Sequence, residues 1–312
     1  MPPPKKLKIT ALAGGVGASK LLLGLYEVMD PRDLTIIVNT GDDIILHGLK
    51  ISPDLDIVTY TLAGIVDSKK GWGFRGETFH ALQRLARYGR ANWFNLGDRD
   101  IATHIHRTAM LAEGKTLSQA ADSIRAALGV KSRILPMSDD PVPTIIDSSE
   151  GPLHFQEYLV KRRAEPVVRG IRFAGVESAR PAPGVLEAIA SADRIIICPS
   201  NPLISIGPIL AVPQIRGQLR AHKEKVVAVC PIVGGKSLKG PSDRMLAELG
   251  HQPTALGVGK LYADFTRTFT IDPADKSCSA AITALGMKVA ILPTVMKLLA
   301  QKRKLARALL SL

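Results

Sequence analysis

The sequence predicts an α/β protein of Rossmann-like, three-layer architecture, a parallel sheet with helices on both faces, built as one composite domain over residues 1–312. Three observations lead there. Short apolar runs rich in β-branched residues give way repeatedly to turn residues and then to helical periodicity, the pattern of strands and crossover helices. A hydrophobic content of 46% over 312 residues is enough to bury a sizeable core. Aromatics at 4%, set against 27 glycines and 21 prolines, favour a loop-rich α/β protein over a sandwich or a fibre.

Strands are read at 8–13, 34–38, 194–198, 225–230 and 288–292. All but the last run into loops rich in Gly, Pro, Asn or Asp, and open α/β sheets gather ligands beyond the carboxyl ends of their strands. Stretches 78–88, 100–112 and 117–128 repeat apolar residues at three and four positions and read as amphipathic helices, a helical insertion over 72–130. Residues 131–183, punctuated by Pro and Asp and then rich in Arg and Gly, read as a small β-containing excursion. The tail at 293–312 sets Leu298, Leu305 and Leu309 against Lys297, Lys302, Arg303, Lys304 and Arg307. It reads as an amphipathic basic helix packed on the core, with docking to a membrane surface as the alternative.

Lys and Arg number 41 against 28 Asp and Glu, a net charge of +13 that would attract nucleic acid, acidic membrane or anionic metabolites. No RNA-binding signature, zinc-finger spacing or aromatic-interleaved basic stretch is present, which sets a polyanionic metabolite ahead of nucleic acid. A solvated basic surface accounts for much of the excess. Cys198, Cys230 and Cys278 are widely spaced and form no C-x-x-C, so neither a disulfide framework nor a zinc site is expected. The Pro- and Lys-rich opening at 1–8 lacks the apolar core and cleavage site of a secretory signal. No apolar run reaches membrane-spanning length, so a cytoplasmic protein with no stable membrane insertion is expected.

Several loops have the residue types of a phosphate and metal site. After the first strand, Gly14, Gly15 and Gly17 lead through Lys20 into a helix. Unsatisfied N–H groups at a helix start bind phosphate, and glycines let a ligand approach the backbone. The spacing is neither the dinucleotide fingerprint nor the Walker pattern, and a plain strand-to-helix turn is the alternative. Asp42, Asp43, Asp54 and Asp56 cluster beyond the second strand, hard oxygen ligands suited to Mg²⁺ or, alternatively, caps and turns. Trp72 and Arg75 among glycines could form a stacking wall for a flat ring. Asp98 and Asp100 read as helix caps, and His104 and His106, two apart on a helix, point in different directions and do not share a metal. Beyond the 194–198 strand, Ser200, Asn201, Ser205 and Gly207 offer groups for a base, ribose or phosphate. The Gly- and Lys-rich stretch at 233–241 is another candidate anion loop.

The loops also form an ordered motif set: Gly-Gly-Val-Gly at 14–17, Asn-Thr-Gly-Asp-Asp at 39–43, Ile-Ser-Pro-Asp-Leu-Asp at 51–56, Tyr-Thr-Leu-Ala-Gly at 60–64 and Leu-Gly-Asp-Arg-Asp-Ile-Ala-Thr-His at 96–104. Leu-Pro-Met-Ser-Asp-Asp at 135–140, His-Phe-Gln-Glu at 154–157, Pro-Ser-Asn-Pro at 199–202 and Ser-Ile-Gly-Pro-Ile at 205–209 follow in order. Together they resemble the 2-phospho-L-lactate transferase family of coenzyme F-420 biosynthesis. The resemblance implies a guanosine diphosphate ester of a small phospho-acid as donor. It implies as acceptor the deazaflavin alcohol 7,8-didemethyl-8-hydroxy-5-deazariboflavin, whose terminal ribityl hydroxyl attacks the acid-bearing phosphorus and releases GMP. Among related members the transferred group is phospholactyl, phosphoenolpyruvyl or phosphoglyceryl.

On this likeness the donor nucleotide falls to Gly14, Gly15, Gly17, Lys20, Ser200, Asn201, Ser205 and Gly207. Mg²⁺ falls to Asp42, Asp43 and Asp54, and catalysis to Asp43, Asp54 and Asp56. The deazaflavin falls to Asp54, Trp72, Arg75, Asn95 and Asp98, with Asn95 standing where some members carry a lysine. A homodimer is implied as well. A sister family of non-catalytic nucleotide-sugar-binding regulators shares the glycine loop and the paired Asp. It is expected to continue with Gly and Ser, whereas here Ile44, Ile45, Leu46, His47 and Gly48 follow. A nicotinamide oxidoreductase, the reading from fold alone, lacks its fingerprint.

Overall fold

The computed structural model describes residues 7–312 other than residue 68, so the Pro- and Lys-rich opening lies outside the described residues through residue 6. Its central sheet has seven parallel strands: β1 (Ile9–Ala13), β2 (Leu34–Val38), β5 (Arg133–Pro136), β9 (Arg194–Ile197), β10 (Val226–Val229), β13 (Thr268–Ile271) and β14 (Lys288–Ile291). They lie in the order β14-β13-β10-β9-β1-β2-β5. The chain starts in the middle, builds outward through β2 and β5, then returns to lay β9, β10, β13 and β14 on the other side. The strand order therefore reverses between β1 and β9, and a crevice opens there beyond their carboxyl ends.

Strands β1, β2, β9 and β10 bury both faces, which is why their runs read as apolar throughout rather than alternating, whereas the edge strand β14 stays partly exposed. Leu12, Ile37, Ile195 and Ile197 enter one core with α6 (Val185–Ser191), α7 (Ile206–Ala211), α8 (Ile215–Ala221), α9 (Ser242–Glu248), α10 (Ala255–Tyr262) and α11 (Ser279–Thr283). Ala11, Ala13, Ile36, Val38 and Ile196 enter the other with α1 (Gly15–Val28), α2 (Pro53–Leu62), α5 (Leu117–Ala127) and α12 (Leu299–Ser311). This is the three-layer arrangement the sequence predicts. No helix among the described residues is long and apolar enough to cross a membrane, and all three cysteines are free thiols.

Two strands depart from expectation. Arg133–Pro136 belongs to the central sheet rather than to the excursion, pairing in register with β2 so that Pro136 lies opposite Val38. A strand ending in proline is tolerated because β5 is the sheet edge, where the missing N–H has no neighbour to serve. Thr268–Ile271, absent from the expected set, sits between β10 and β14 because Phe269 and Ile271 fill the core there. Its short, Thr-rich pattern is decided by that packing rather than by propensity. The excursion proper is an antiparallel sheet of β6 (Thr144–Ser148), β7 (Gly151–His154) and β8 (Val168–Phe173). Hairpins β3 (Ile44–Leu46)–β4 (Leu49–Ile51) and β11 (Ile232–Val233)–β12 (Lys236–Ser237) follow β2 and β10 in the chain as separate two-stranded sheets. The insertion supplies α3 (His80–Arg87), α4 (Asp98–Ala112) and α5.

The basic tail forms α12, which docks on α1 through Leu305, Ala306 and Leu309 while Arg303 pairs with Glu27. The two helices approach closely at Gly24, where a Cβ would lie 2.3 Å from the Lys302 carbonyl oxygen. Backbone cannot swing away as a side chain can. Gly24→Ala is therefore expected to cost about 1–3 kcal/mol through overpacking, read as a lower urea midpoint with an unchanged m-value.

Candidate active site

A cavity of about 590 Å³ occupies the predicted crevice. One side is the glycine loop. Helix α1 starts at Gly15 with Gly14, which has no side chain to bond over the end, as its cap residue; the Gly15 N–H donates to Asp54, and the following first-turn residues Val16 and Gly17 line the opening. Gly15 has φ +68°, open to glycine without strain. The loop packs tightly against the segment after β9: a Cβ on Gly17 would stand 2.5 Å from the Pro199 carbonyl oxygen, and one on Gly14 would meet the Ser205 Cβ at 2.7 Å. Ser200 Oγ donates to the Gly14 carbonyl at 2.8 Å, tying the two loops together.

Asn39, at the end of β2, joins three loops. Its Nδ2 donates to Asp42 Oδ1 at 3.0 Å, to Asp54 Oδ2 at 2.9 Å and more weakly to the Ile204 carbonyl at 3.3 Å, while its Oδ1 accepts the Gly41 N–H. Asp42 and Asp54 are thereby held side by side on the cavity wall, both buried. Burial, followed by the charge of Asp54, raises the Asp42 carboxyl well above its usual range. Burial pushes Asp54 up to about 7 despite the Asn39 hydrogen bond. No lysine or arginine contributes to either shift, so the pair is short of a positive charge.

A second buried cluster lies between α2 and α4. Arg107, 1% exposed, grips both carboxylate oxygens of Asp56 and donates to His104 Nδ1 at 3.2 Å. A guanidinium can only donate, so Nδ1 is the bare nitrogen and the His104 proton sits on Nε2. Burial, aided by the Arg107 charge, drops the His104 pKa to about 4, which keeps the ring neutral. Its Nε2 lies 3.7 Å from Asp100 Oδ1, and that oxygen accepts the Tyr60 hydroxyl at 2.7 Å. Asp56, Asp100 and His104 could offer ligand atoms to one ion. Arg107 already supplies the positive charge there, which leaves the Asp42–Asp54 pair as the better cation site.

Of the residues singled out from sequence, Gly14, Gly15, Gly17, Lys20, Asp42, Asp54, Asp56, Trp72, Asn95, Ser200, Asn201 and Ser205 all line this cavity. Four do not. Asp43 turns toward the β3–β4 hairpin, where Ser52 Oγ donates to it at 2.7 Å and Lys50 Nζ lies 3.1 Å away. Arg75 donates to the Gly64 carbonyl, and Gly207 packs beside Phe173. Asp98 caps α3, accepting from Thr78 Oγ1 and from the His80 and Ala81 N–H groups. That bonding, led by the Thr78 hydroxyl, lowers its pKa. Asn201 spends its Oδ1 on the Leu203 N–H at 2.9 Å.

The candidate anion loop at 233–241 reaches the wall with Lys239, and unexpected members are Tyr60, Phe94, Asp100, His104 and Lys297. His104 and His106 do diverge as expected, His106 reaching Ser123 on the surface. The pairing that brings His104 into the site is with Asp100, four residues earlier on the same face of α4. That i, i+4 spacing was the available signal.

A parallel sheet whose switch-point crevice joins a glycine-lined helix start to buried carboxylates defines a Rossmann-like α/β enzyme. A family model described as 2-phospho-L-lactate transferase CofD matches residues 9–278. The chain belongs to that family and is a transferase. It is 44% identical over 296 residues to a phosphoenolpyruvate transferase of Streptomyces griseus, covering 93% of each chain. It is 40% identical to a 2-phospho-L-lactate transferase of Methanosarcina mazei, covering 94% of this chain and 96% of the other. In fold it resembles a solved member of the upf0052 family from Bacillus halodurans, with TM-score 0.66, 18% identity and coverage of 98% and 99%.

Two outcomes follow from the buried charges. Arg107→Met strands Asp56 without its cation and is expected to destabilise the fold by about 3–5 kcal/mol; in a denaturation cycle with Asp56→Asn, the double variant should recover part of that loss. For Asp54, the folded-state pKa of about 7 exceeds its ordinary 3.8, so the protonated carboxyl favours folding at low pH and that contribution is lost as pH rises through 7. Measured with a chelator present, Asp54→Asn should therefore gain stability relative to wild type as pH climbs from about 4 to 7, then hold level.

Proposed function

We propose that the chain transfers a phospho-acid group from its guanosine diphosphate ester to the terminal ribityl hydroxyl of 7,8-didemethyl-8-hydroxy-5-deazariboflavin, releasing GMP, in coenzyme F-420 biosynthesis. The observation that carries this reading is that a single cavity unites a glycine-lined helix start, a carboxylate pair lacking a cation and an aromatic wall. The family membership narrows the chemistry to transfer of a phospho-acid.

The first-turn N–H groups of α1 that follow Gly15 and the ammonium of Lys20 receive the donor phosphates. The tight packing of the glycine loop on Pro199 and Ser205 holds those donors in place before the ligand arrives. Trp72, Phe94 and Tyr60 line the same space and offer apolar faces for the flat deazaflavin ring, with Asn95 beside them. Asp42 and Asp54 fit Mg²⁺, since both are buried and neither is neutralised by a lysine or arginine. Mg²⁺ bound by this pair would neutralise charge on the phosphates during transfer. Phosphoryl transfer asks for positioning and charge neutralisation more than covalent catalysis, and a pre-formed cleft supplies the first of these.

The test is turnover with Mg²⁺, the deazaflavin alcohol and, in turn, the guanosine diphosphate esters of phospholactate, phosphoenolpyruvate and phosphoglycerate. One donor is expected to give GMP and a deazaflavin whose mass has grown by that phospho-acid. Silence with all three, under conditions where GDP binds, would refute the transfer.

A further inference from the structure

We propose that Asp100 takes the proton from the attacking hydroxyl of the acceptor, held ready by the Tyr60 hydroxyl on its inner oxygen, with the neutral His104 ring alongside. This inference rests on the transfer reaction proposed above.

Four carboxylates line the cavity: Asp42, Asp54, Asp56 and Asp100. A base must be free to accept a proton, and three of them are committed elsewhere. Asp42 and Asp54 share the Asn39 amide and form the pair that fits a cation. Asp56 is clamped through both oxygens by Arg107. Asp43, a candidate from sequence, is off the wall and bonded to Ser52 and Lys50. Asp100 remains. Its Oδ1 takes the Tyr60 hydroxyl at 2.7 Å and has His104 Nε2 at 3.7 Å, while Oδ2 has no protein hydrogen-bond partner among the described residues. The free oxygen belongs to a side chain on the cavity wall that also carries Tyr60, Trp72 and Phe94, where the acceptor ring is placed.

His104 Nε2 is buried and has no hydrogen-bond partner of its own. Because Arg107 fixes the proton on that nitrogen, His104 presents a neutral N–H toward Asp100 and does not compete for the substrate proton. Tyr60 is thus the positioning residue. The groups facing Asp100 are Tyr60 and Asp56 from α2, His104 and Arg107 from α4 and Glu77 from the preceding loop. Burial first, then the Asp56 charge, push its carboxyl up to about 7, with Tyr60 and Arg107 opposing. A base is most effective near the working pH.

In the step itself, the hydroxyl oxygen forms a bond to the acid-bearing phosphorus as its proton passes to Asp100 Oδ2. The bond from that phosphorus to the bridging oxygen breaks, and its electron pair stays on the oxygen that leaves as part of GMP. Asp100 then returns the proton to solvent.

The test uses the full chain with Mg²⁺ and the donor that turns over, measuring kcat against pH, deazaflavin alcohol binding by fluorescence and Mg²⁺ binding by calorimetry. Asp100→Asn is expected to lower kcat about a hundredfold or more, to bind Mg²⁺ and the alcohol like wild type, and to lose the rise of kcat through pH 7. Tyr60→Phe, which keeps the carboxylate but removes the hydrogen bond that favours its charged form, should move that rise to higher pH. Wild-type kcat in Asp100→Asn, an unmoved rise in Tyr60→Phe, or loss of Mg²⁺ binding in Asp100→Asn would each overturn the assignment while wild type still turned over. A silent wild type would instead overturn the transfer reaction and this base with it.

Discussion

The amide of Asn39 is the constraint on which the site depends. One planar group with two donor hydrogens and one acceptor oxygen meets the Gly41 N–H, two carboxylates and a carbonyl from the loop after β9. It is buried at the end of a strand whose last three residues are buried, so its position is fixed by the sheet. Without a donor between them, Asp42 and Asp54 would face each other as like charges in a medium that screens poorly. The amide allows the two to be neighbours while leaving them electrostatically unfinished, and that deficit is what makes the spot receptive to a cation.

The second cluster solves the same problem differently. Asp56, only two residues beyond Asp54 on α2, is neutralised from within the protein by a buried guanidinium. Arg107 also sets the tautomer of His104, and through it the surroundings of Asp100. One helix turn of α2 therefore directs one carboxylate toward a cleft short of positive charge and the next toward an internal ion pair. Their chemical difference arises from what α1 and α4 present to them, not from the residue type.

Most of the sheet was legible because β1, β2, β9, β10 and β14 are apolar runs bounded by turn residues. β5 and β13 were not, since a terminal proline and a Thr-rich tetrapeptide read as strands only when the neighbouring strand and core are known. The glycine loop and Asp42, Asp54 and Asp56 stood out because their residue types are unusual at strand ends. Arg107 carried no such mark: a lone arginine on an amphipathic helix looks like a surface charge until the chain brings Asp56 beneath it. Asp98 misled for the opposite reason, as a carboxylate within a motif-rich stretch whose bonding turned out to serve the start of another helix. His104 has His106 as its nearest histidine in sequence, but its neighbour in space is Asp100.

The wall of the cleft is drawn from the whole length of the polypeptide, from Gly14 after the first strand to Lys297 just before α12, with Thr294 pinned there by Asp272. Residues far apart in sequence must therefore meet before the cleft is enclosed. The docking of α12 along α1 brings the last helix of the described residues onto the first. Enclosing the cleft is consequently a matter of long-range contacts, whose loop-closure entropy has to be met before the local geometry of the glycine loop has its full surroundings.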